Sequence, residues 1–360
     1  MSFVYKVIEI EGKGLGCVAT EDIRKGSLIL NENPQIFENT EEKSWSSKWI
    51  KSLLKSFNRM SKNDQLEYMT LSNKYINLQY SKIFEDIRNY KEVIDKDLED
   101  LTLEIYKIEQ DSEKAKTILK ICCIYSSNNF ENGLKIKTSR FNHSCQPNAD
   151  SIQMLNNQYQ VRAIGNIKAG EEINIDYNED KFSGFRNKKH RQMSLWSKWF
   201  FKCSCELCNN DVDIDANAYE TQIQDAEKLA IDRQLALELI QEGEKFEAAR
   251  SLYSLENCKN EVNCYKQMYN TGKSQNVQRY FLFTLLDKAA FDTAMFGYRL
   301  YGDASLKKEA ENFAKAAEKF GKFVGHDVVT RGKPNYWKQI YQDIERWLQI
   351  PTIHTSASLG

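Results

Sequence analysis

Apolar and polar residues alternate at the N-terminus and then fall into helical spacing, and that change of period divides the chain. Residues 3–37 read as β: Val4, Val7, Ile8 and Ile10 lead into Glu11–Gly16 (E-G-K-G-L-G), and a turn at Arg24-Lys25-Gly26 precedes S-L-I-L. From 41 to 125 the period is helical: Trp45, Trp49, Ile50, Leu53, Leu54 and Phe57, then Ile76, Tyr80, Ile83, Phe84 and Ile87, then Ile118, Leu119 and Cys122. Aromatics at that spacing read as the core of a helical insertion. Strand-like runs return in S-I-Q-M-L and Y-Q-V-R-A-I, joined by Asn156-Asn157, a good turn pair. They continue in Asn166–Tyr177 (N-I-K-A-G-E-E-I-N-I-D-Y), whose first half echoes Asp22–Leu30 (D-I-R-K-G-S-L-I-L). Ala218 to Leu348 is helical throughout, with a tetratricopeptide-like look at Ala236–Tyr253 and further pairs including Phe281–Tyr301 and Leu306–Val324. The small, polar tail after Pro351 is expected to be disordered. An α+β chain follows.

Composition narrows the class. A chain of 360 residues has room for two or three domains and a substantial core, and a formal net charge of -1 supplies no global field toward nucleic acid or membrane. No stretch reaches the length of a membrane span, and the N-terminus carries acids where a signal peptide is apolar. Nine cysteines without a secretory signal imply a reducing compartment, cytoplasmic and/or nuclear, with metal ligation or free thiols.

Chemistry concentrates in Ser139–Asp150, S-R-F-N-H-S-C-Q-P-N-A-D. Asn142 and His143 sit beside a thiol, Cys145, and Pro147 then fixes the backbone; mixed donors and acceptors of this kind are what an adenine ring requires. The bland alternative is a polar turn with one buried cysteine. The glycines of E-G-K-G-L-G are followed by β-favouring residues, where a dinucleotide turn would open a helix. They form either a ligand-approaching loop between strands or a flexible hairpin. Cys203, Cys205 and Cys208 (C-S-C-E-L-C) supply three thiols where a tetrahedral zinc site wants four ligands. The basic and aromatic residues of 181–202, among them Lys188, Lys189, His190, Arg191 and Lys198, read as an amphipathic helix with a solvated basic face; nucleic-acid binding is the other reading. Asp211–Ala216 begins like a calcium loop, but Ala216 replaces the glycine and Gln222 the bidentate glutamate, so it reads as an acidic linker. Cys258 and Cys264 read as ordinary thiols.

Taken together, these runs resemble the N-H-S-C-x-P-N, G-x-G-L-G and E-L-x-x-D-Y signatures and the post-SET C-x-C-x-x-C of SET-domain protein lysine methyltransferases. The SET-and-MYND subfamily is the nearest relative in pattern, but the insertion holds only Cys122 and Cys123, and no MYND zinc finger is recognisable. The resemblance implies a SET-type β-fold split over 1–40 and 126–200, with a helical insertion at 41–125. It further implies a post-SET zinc segment at 201–212, a helical domain at 213–350 and a tail at 351–360. S-adenosylmethionine would contact Lys13, Gly14, Leu15, Asn142, His143, Tyr177 and Phe201, with Phe201 the adenine-stacking aromatic and Tyr177 the catalytic residue. Asn129, Phe130 and Ile175 would line the substrate channel; relatives often carry an aromatic where Ile175 stands, which leaves the number of methyls open. Cys145 would join Cys203, Cys205 and Cys208 around a structural Zn2+. The expected activity is methyl transfer to a lysine of a histone or non-histone protein, by a monomer. Membranes and nucleic acid are not expected partners. The C-terminal helices either wall the substrate cleft or only stabilise the core. Two rivals are a catalytically silent SET scaffold whose helical repeats bind a partner, and a nucleic-acid-binding protein using the basic helix.

Overall fold

The computed structural model describes residues 4–36, 45–77, 88–130, 133–153, 158–178, 186–209, 216–241, 245–274 and 280–324. The Asn156-Asn157 turn, residues 211–215 of the acidic linker, Tyr80 to Ile87 of the insertion pattern, the helical pattern from 325 to 348 and the tail lie outside these residues. Chain order begins with strands β1 (Tyr5–Ile10), β2 (Gly14–Ala19) and β3 (Leu28–Glu32). Helices α1 (Ser47–Arg59), α2 (Lys62–Tyr68), α3 (Lys74–Asn77), α4 (Arg88–Tyr106) and α5 (Ser112–Asn128) follow. Six short strands come next: β4 (Asn129–Phe130), β5 (Gly133–Leu134), β6 (Asn142–His143), β7 (Ala149–Gln153), β8 (Tyr159–Ala163) and β9 (Asn174–Ile175). The rest is helical: α6 (Lys188–Trp199), α7 (Glu206–Asn209), α8 (Ala216–Gln241), α9 (Phe246–Leu252), α10 (Leu255–Ser274), α11 (Tyr280–Tyr301) and α12 (Ala304–Val324). None of the described helices is long and apolar enough to cross a membrane.

The sheets are small, and each joins segments that the site needs. β1 and β2 form a hairpin whose turn uses Gly12 and Gly14 at φ 71° and 73°, a region that a side chain would strain. β3, β8 and β7 make an antiparallel sheet in that order, and β6 pairs in parallel with β9, setting His143 beside Ile175. Their shared core of Tyr5, Cys17, Ile23, Leu30, Phe141, Val161, Ile173 and Ile175 comes from both sides of the insertion.

The echoed segments meet each other. Ile23 and Ile167 exchange backbone hydrogen bonds of 2.7 and 2.9 Å. Asp22 Oδ1 accepts from Ala169 N–H, and Asn166 Oδ1 accepts from Lys25 N–H, both at 2.9 Å. Each turn thus satisfies an orphan donor of the other, and Gly26 and Gly170 close them at φ 84° and 87°.

The insertion builds its own core. Trp49, Ile50, Leu53 and Phe57 of α1 pack with Tyr68, Leu101, Ile105, Ile121 and Tyr125, and Ile36, Leu134 and Ile136 carry that core onto the β region. Each large side chain buried there contributes roughly 1.5–3 kcal/mol. Arg140 fastens the same junction by donating to the Thr70 and Glu67 carbonyls at 3.0 and 3.1 Å. At the other end α8 packs on α9 and α10, and α10 on α11, which packs on α12. Within that core Glu261, fully buried, accepts from Tyr253, Tyr265 and Thr293 hydroxyls and pairs with Arg233 at 3.3 Å.

Candidate active site

The β1–β2 turn is tied to the core motif through one carboxylate. Lys13 Nζ lies 2.6 Å from Glu172 Oε2, and Asn142 Nδ2 donates to Glu172 Oε1 at 2.9 Å. Gly16 lies directly against this junction: a Cβ there would stand 2.5 Å from Asn142 Nδ2, 2.8 Å from Ile10 Cγ1 and 3.1 Å from Glu172 Oε1. At Gly14 an added Cβ would meet nothing within 4 Å, so that face of the turn backbone is open to a ligand. Leu15 is exposed beside it. Asn148 completes the frame by donating to Glu172 O at 2.8 Å while its Oδ1 accepts from Asn174 N–H at 2.9 Å. The sequence reading gave Glu172 and Asn148 no role, although Asn148 closes N-H-S-C-Q-P-N and Glu172 heads E-I-N-I-D-Y.

His143 joins two parts of the site. Its Nδ1 accepts from Tyr177 N–H at 3.0 Å, and its Nε2 lies 3.3 Å from Cys145 Sγ. Asp176 Oδ1 also stands 3.3 Å from Nδ1, but the Tyr177 N–H occupies that lone pair, which assigns the ring proton to Nε2 and directs it at the sulfur. Both ring nitrogens are therefore committed within the protein, and any contact of residue 143 with an adenine runs through its main chain or ring face. The imidazole's donors and acceptors, which the sequence reading offered to that base, are engaged within the protein in this structure.

Tyr177 is half-buried, with its ring 5.5 Å from His143, 5.4 Å from Trp199 and 6.3 Å from Phe201. Its hydroxyl donates to Phe141 O at 2.6 Å, and burial holds the phenol well above the ordinary tyrosine value. The proton is thus spoken for, and the oxygen's lone pairs remain to face a partner. Trp199, which the sequence reading assigned to the helix, donates its indole N–H to Tyr177 O at 3.3 Å. Phe201 lies 6.0 Å from the His143 ring.

Behind these aromatics stands a four-cysteine centre. The sulfurs of Cys145, Cys203, Cys205 and Cys208 all lie within 4.8 Å of one another, and all four residues are buried. Cys145 Sγ is 3.6 Å from Cys208 Sγ and 4.0 Å from Cys203 Sγ. Tetrahedral ligation with zinc–sulfur bonds of about 2.3 Å sets neighbouring sulfurs about 3.8 Å apart, whereas a disulfide needs about 2.05 Å. The donor set and its spacing fit a thiolate-bound zinc ion. Gln192 braces the segment by accepting from Cys203 N–H at 2.9 Å and donating to Cys203 O at 2.7 Å.

The remaining channel candidates divide. Ile175 is buried in β9 beside His143. Asn129 and Phe130 form β4, whose partner is β5, and the Phe130 ring faces Tyr159 at 5.2 Å. The buried Lys135 ammonium lies 3.8 Å from the Tyr159 ring centre and 5.2 Å from that of Phe130, and it donates to Gly133 O at 2.9 Å. Among the described residues no ring contact joins Phe130 to Tyr177. Arg191 also departs from expectation: α6 exposes Lys189 and His190, but the Arg191 side chain is fully buried against the cysteine centre.

Comparison with known proteins gives these features a setting. Residues 14–178 match the family model described as SET domain. The chain is 27% identical over 222 residues to a SET domain-containing protein of Acanthamoeba polyphaga mimivirus, covering 55% of this chain and 75% of that protein. It is 29% identical over 118 residues to histone-lysine N-methyltransferase SET5 of Scheffersomyces stipitis, covering 32% of this chain and 24% of that one. It is 39% identical over 82 residues to protein-lysine N-trimethyltransferase SMYD5 of Mus musculus, covering 22% of this chain and 20% of that one. The match thus spans only a fifth to a quarter of the two relatives named as methyltransferases. The solved SET domain of LSMT bound to lysine and AdoHcy aligns over 89% of both chains at 14% identity and a TM-score of 0.38, too loosely to equate individual residues.

Proposed function

Residues 14–178 form a SET domain, and from that premise we propose that the protein is a protein-lysine N-methyltransferase using S-adenosylmethionine. The observation that carries the reading is convergence. The open glycine turn, the Lys13–Glu172–Asn142 junction, Tyr177, Phe201 and the four-cysteine centre are linked by direct contacts, although they come from segments far apart in the chain.

Lys13, Gly14, Leu15, Asn142, the main chain or ring face of His143, and Phe201 would hold the cofactor, which supplies an electrophilic sulfonium methyl group. Glu172 fixes Lys13 and Asn142 relative to each other. Tyr177 contributes through its oxygen: with the hydroxyl proton on Phe141 O, the lone pairs can accept from a substrate amine and face the electron-poor methyl. The surrounding rings of Trp199, Phe201 and His143 supply apolar surface, and a substrate amine desolvated against them would favour the neutral form that the displacement needs. Orientation then supplies much of the acceleration. A zinc ion on Cys145, Cys203, Cys205 and Cys208 would pin the segment that carries Phe201, two residues before the first of these cysteines. The substrate is a lysine of a histone or another protein, with the C-terminal helices walling its cleft.

Transfer of radiolabelled methyl from S-adenosylmethionine into a histone mixture and a whole-cell lysate tests this reading, with Tyr177→Phe as control. Label in a discrete protein band, lost in the control, supports it. A protein that binds the cofactor yet labels nothing in either mixture is a silent scaffold. One that carries zinc and binds no cofactor sinks the proposal.

A further inference from the structure

One buried cation has no part in the chemistry above. Arg191 lies near the start of α6 with no accessible surface, the bulkiest side chain in the described interior to be so enclosed. Its Nη1 donates to Arg186 O, and its Nη2 stands 4.0 Å from Cys208 Sγ. Taking a guanidinium out of water costs several kcal/mol unless opposite charge answers it. Four thiolates on a divalent ion leave a formal excess of two negative charges, concentrated beside this side chain. Gln192, the next residue, grips the backbone of Cys203 on both its N–H and C=O, so α6 delivers Arg191 to the cluster in fixed register. The Nε2 of His143 lies 3.3 Å from Cys145 Sγ, a second nitrogen against the cluster. Arginine suits the position because its planar fork serves a carbonyl and a sulfur together and sheds water more readily than an ammonium does.

We propose that Arg191 is the counter-ion of the four-cysteine centre, offsetting the excess charge of a thiolate-bound divalent metal and slowing its loss. The inference rests on the metal reading above and adds a residue that holds the metal without ligating it. It also accounts for the member of the basic run whose side chain is fully enclosed.

The test measures zinc retention without reference to activity. Full-length protein is loaded with zinc, its metal content is determined by mass spectrometry, and release to excess chromogenic chelator is timed, with circular dichroism checking the fold. Arg191→Met keeps the stem and removes the charge; it is expected to release zinc about 10–100-fold faster, the usual scale for losing a group that supports metal ligands. Arg191→Lys keeps the charge without the fork and is expected to release zinc more slowly than the neutral variants. Arg191→Gln serves as a second neutral variant should the methionine variant not fold. Neutral variants that release zinc at the native rate would overturn the inference. So would a lysine variant as leaky as the neutral ones, because packing would then be the cause. Native protein without cysteine-bound zinc would sink the metal reading itself, before any variant is compared.

Discussion

The backbone N–H of Tyr177 donates to Nδ1 of His143 at 3.0 Å while the other nitrogen of the same ring stands 3.3 Å from Cys145 Sγ. One imidazole therefore couples the tyrosine to the cysteine centre. His143→Ala strips the Tyr177 N–H of its acceptor, and leaving such a group unpaired costs about 1–3 kcal/mol. We expect a lower urea midpoint together with methyl transfer reduced about 10–100-fold, the range for loss of a group that orients a site. Native activity in this variant would separate the two residues functionally.

Tyr177→Phe keeps the packing against His143, Trp199 and Phe201 but deletes the hydroxyl that donates to Phe141 O. Cofactor affinity by calorimetry should change by a few-fold at most. Single-turnover transfer should fall by about 100-fold, the scale of losing positioning at a reacting centre. An equal loss in both measurements would mean that Tyr177 serves binding and not the transfer step.

Gly16→Ala tests the junction under the glycine turn. The new methyl would sit 2.5 Å from Asn142 Nδ2 and 2.8 Å from Ile10 Cγ1, so the amide must leave Glu172 or the hairpin must shift. Overpacking of this kind costs about 1–3 kcal/mol. The expected readout is a weaker dissociation constant for S-adenosylmethionine with Tyr177 chemistry retained at saturating cofactor. Unchanged affinity would dissociate Asn142 from cofactor binding.

Legibility in the sequence followed contiguity. Asn142, His143 and Cys145 share one short run, Tyr177 ends another and Cys203, Cys205 and Cys208 a third, so local pattern sufficed to nominate them. Glu172, Asn148, Trp199 and Arg191 gain their parts only when separate segments meet, and the signatures that hold Asn148 and Glu172 do not say which atoms they will bind. Arg191 shows the limit most plainly. Helical periodicity sorts residues by face, yet it cannot see the sulfur cluster that makes burying a cation tolerable. Phe130 shows another limit: the pattern that nominates the asparagine–phenylalanine step does not announce the Tyr159 ring and Lys135 ammonium that pack against it.

Lys74 gives the fold a pH dependence. Its ammonium donates to Lys198 O at 3.0 Å beside the rings of Tyr75, Trp199 and Phe200, and desolvation pulls it from 10.5 down to about 8. The unfolded chain keeps the proton up to the ordinary lysine value and the folded chain gives it up earlier. The Lys74 contribution to stability therefore rises with pH between about 8 and 10.5 and is flat below that window. Urea midpoints at pH 8 and pH 10, compared between native protein and Lys74→Met, should show this increment only in the native protein. An identical change in both would assign the pH dependence to other groups.

The reciprocal turns at Asp22 and Asn166, and the Lys13–Glu172 pair whose members stand 159 residues apart, also set a timetable for biogenesis. At ribosomal rates of about 5–20 residues per second, the first hairpin waits about 8–30 s for the strand that completes it. Through that interval β2 lacks the backbone partners that Cys17 and Ala19 find at Ile173 and Glu171 in the folded chain, and its edge stays unpaired. The insertion emerges meanwhile and can build most of its own core around Trp49, Leu53 and Tyr125, occupying the chain between the two halves. For a newborn molecule, competence for chemistry arrives late, only after Glu172, Tyr177, Phe201 and Cys208 have all cleared the exit tunnel.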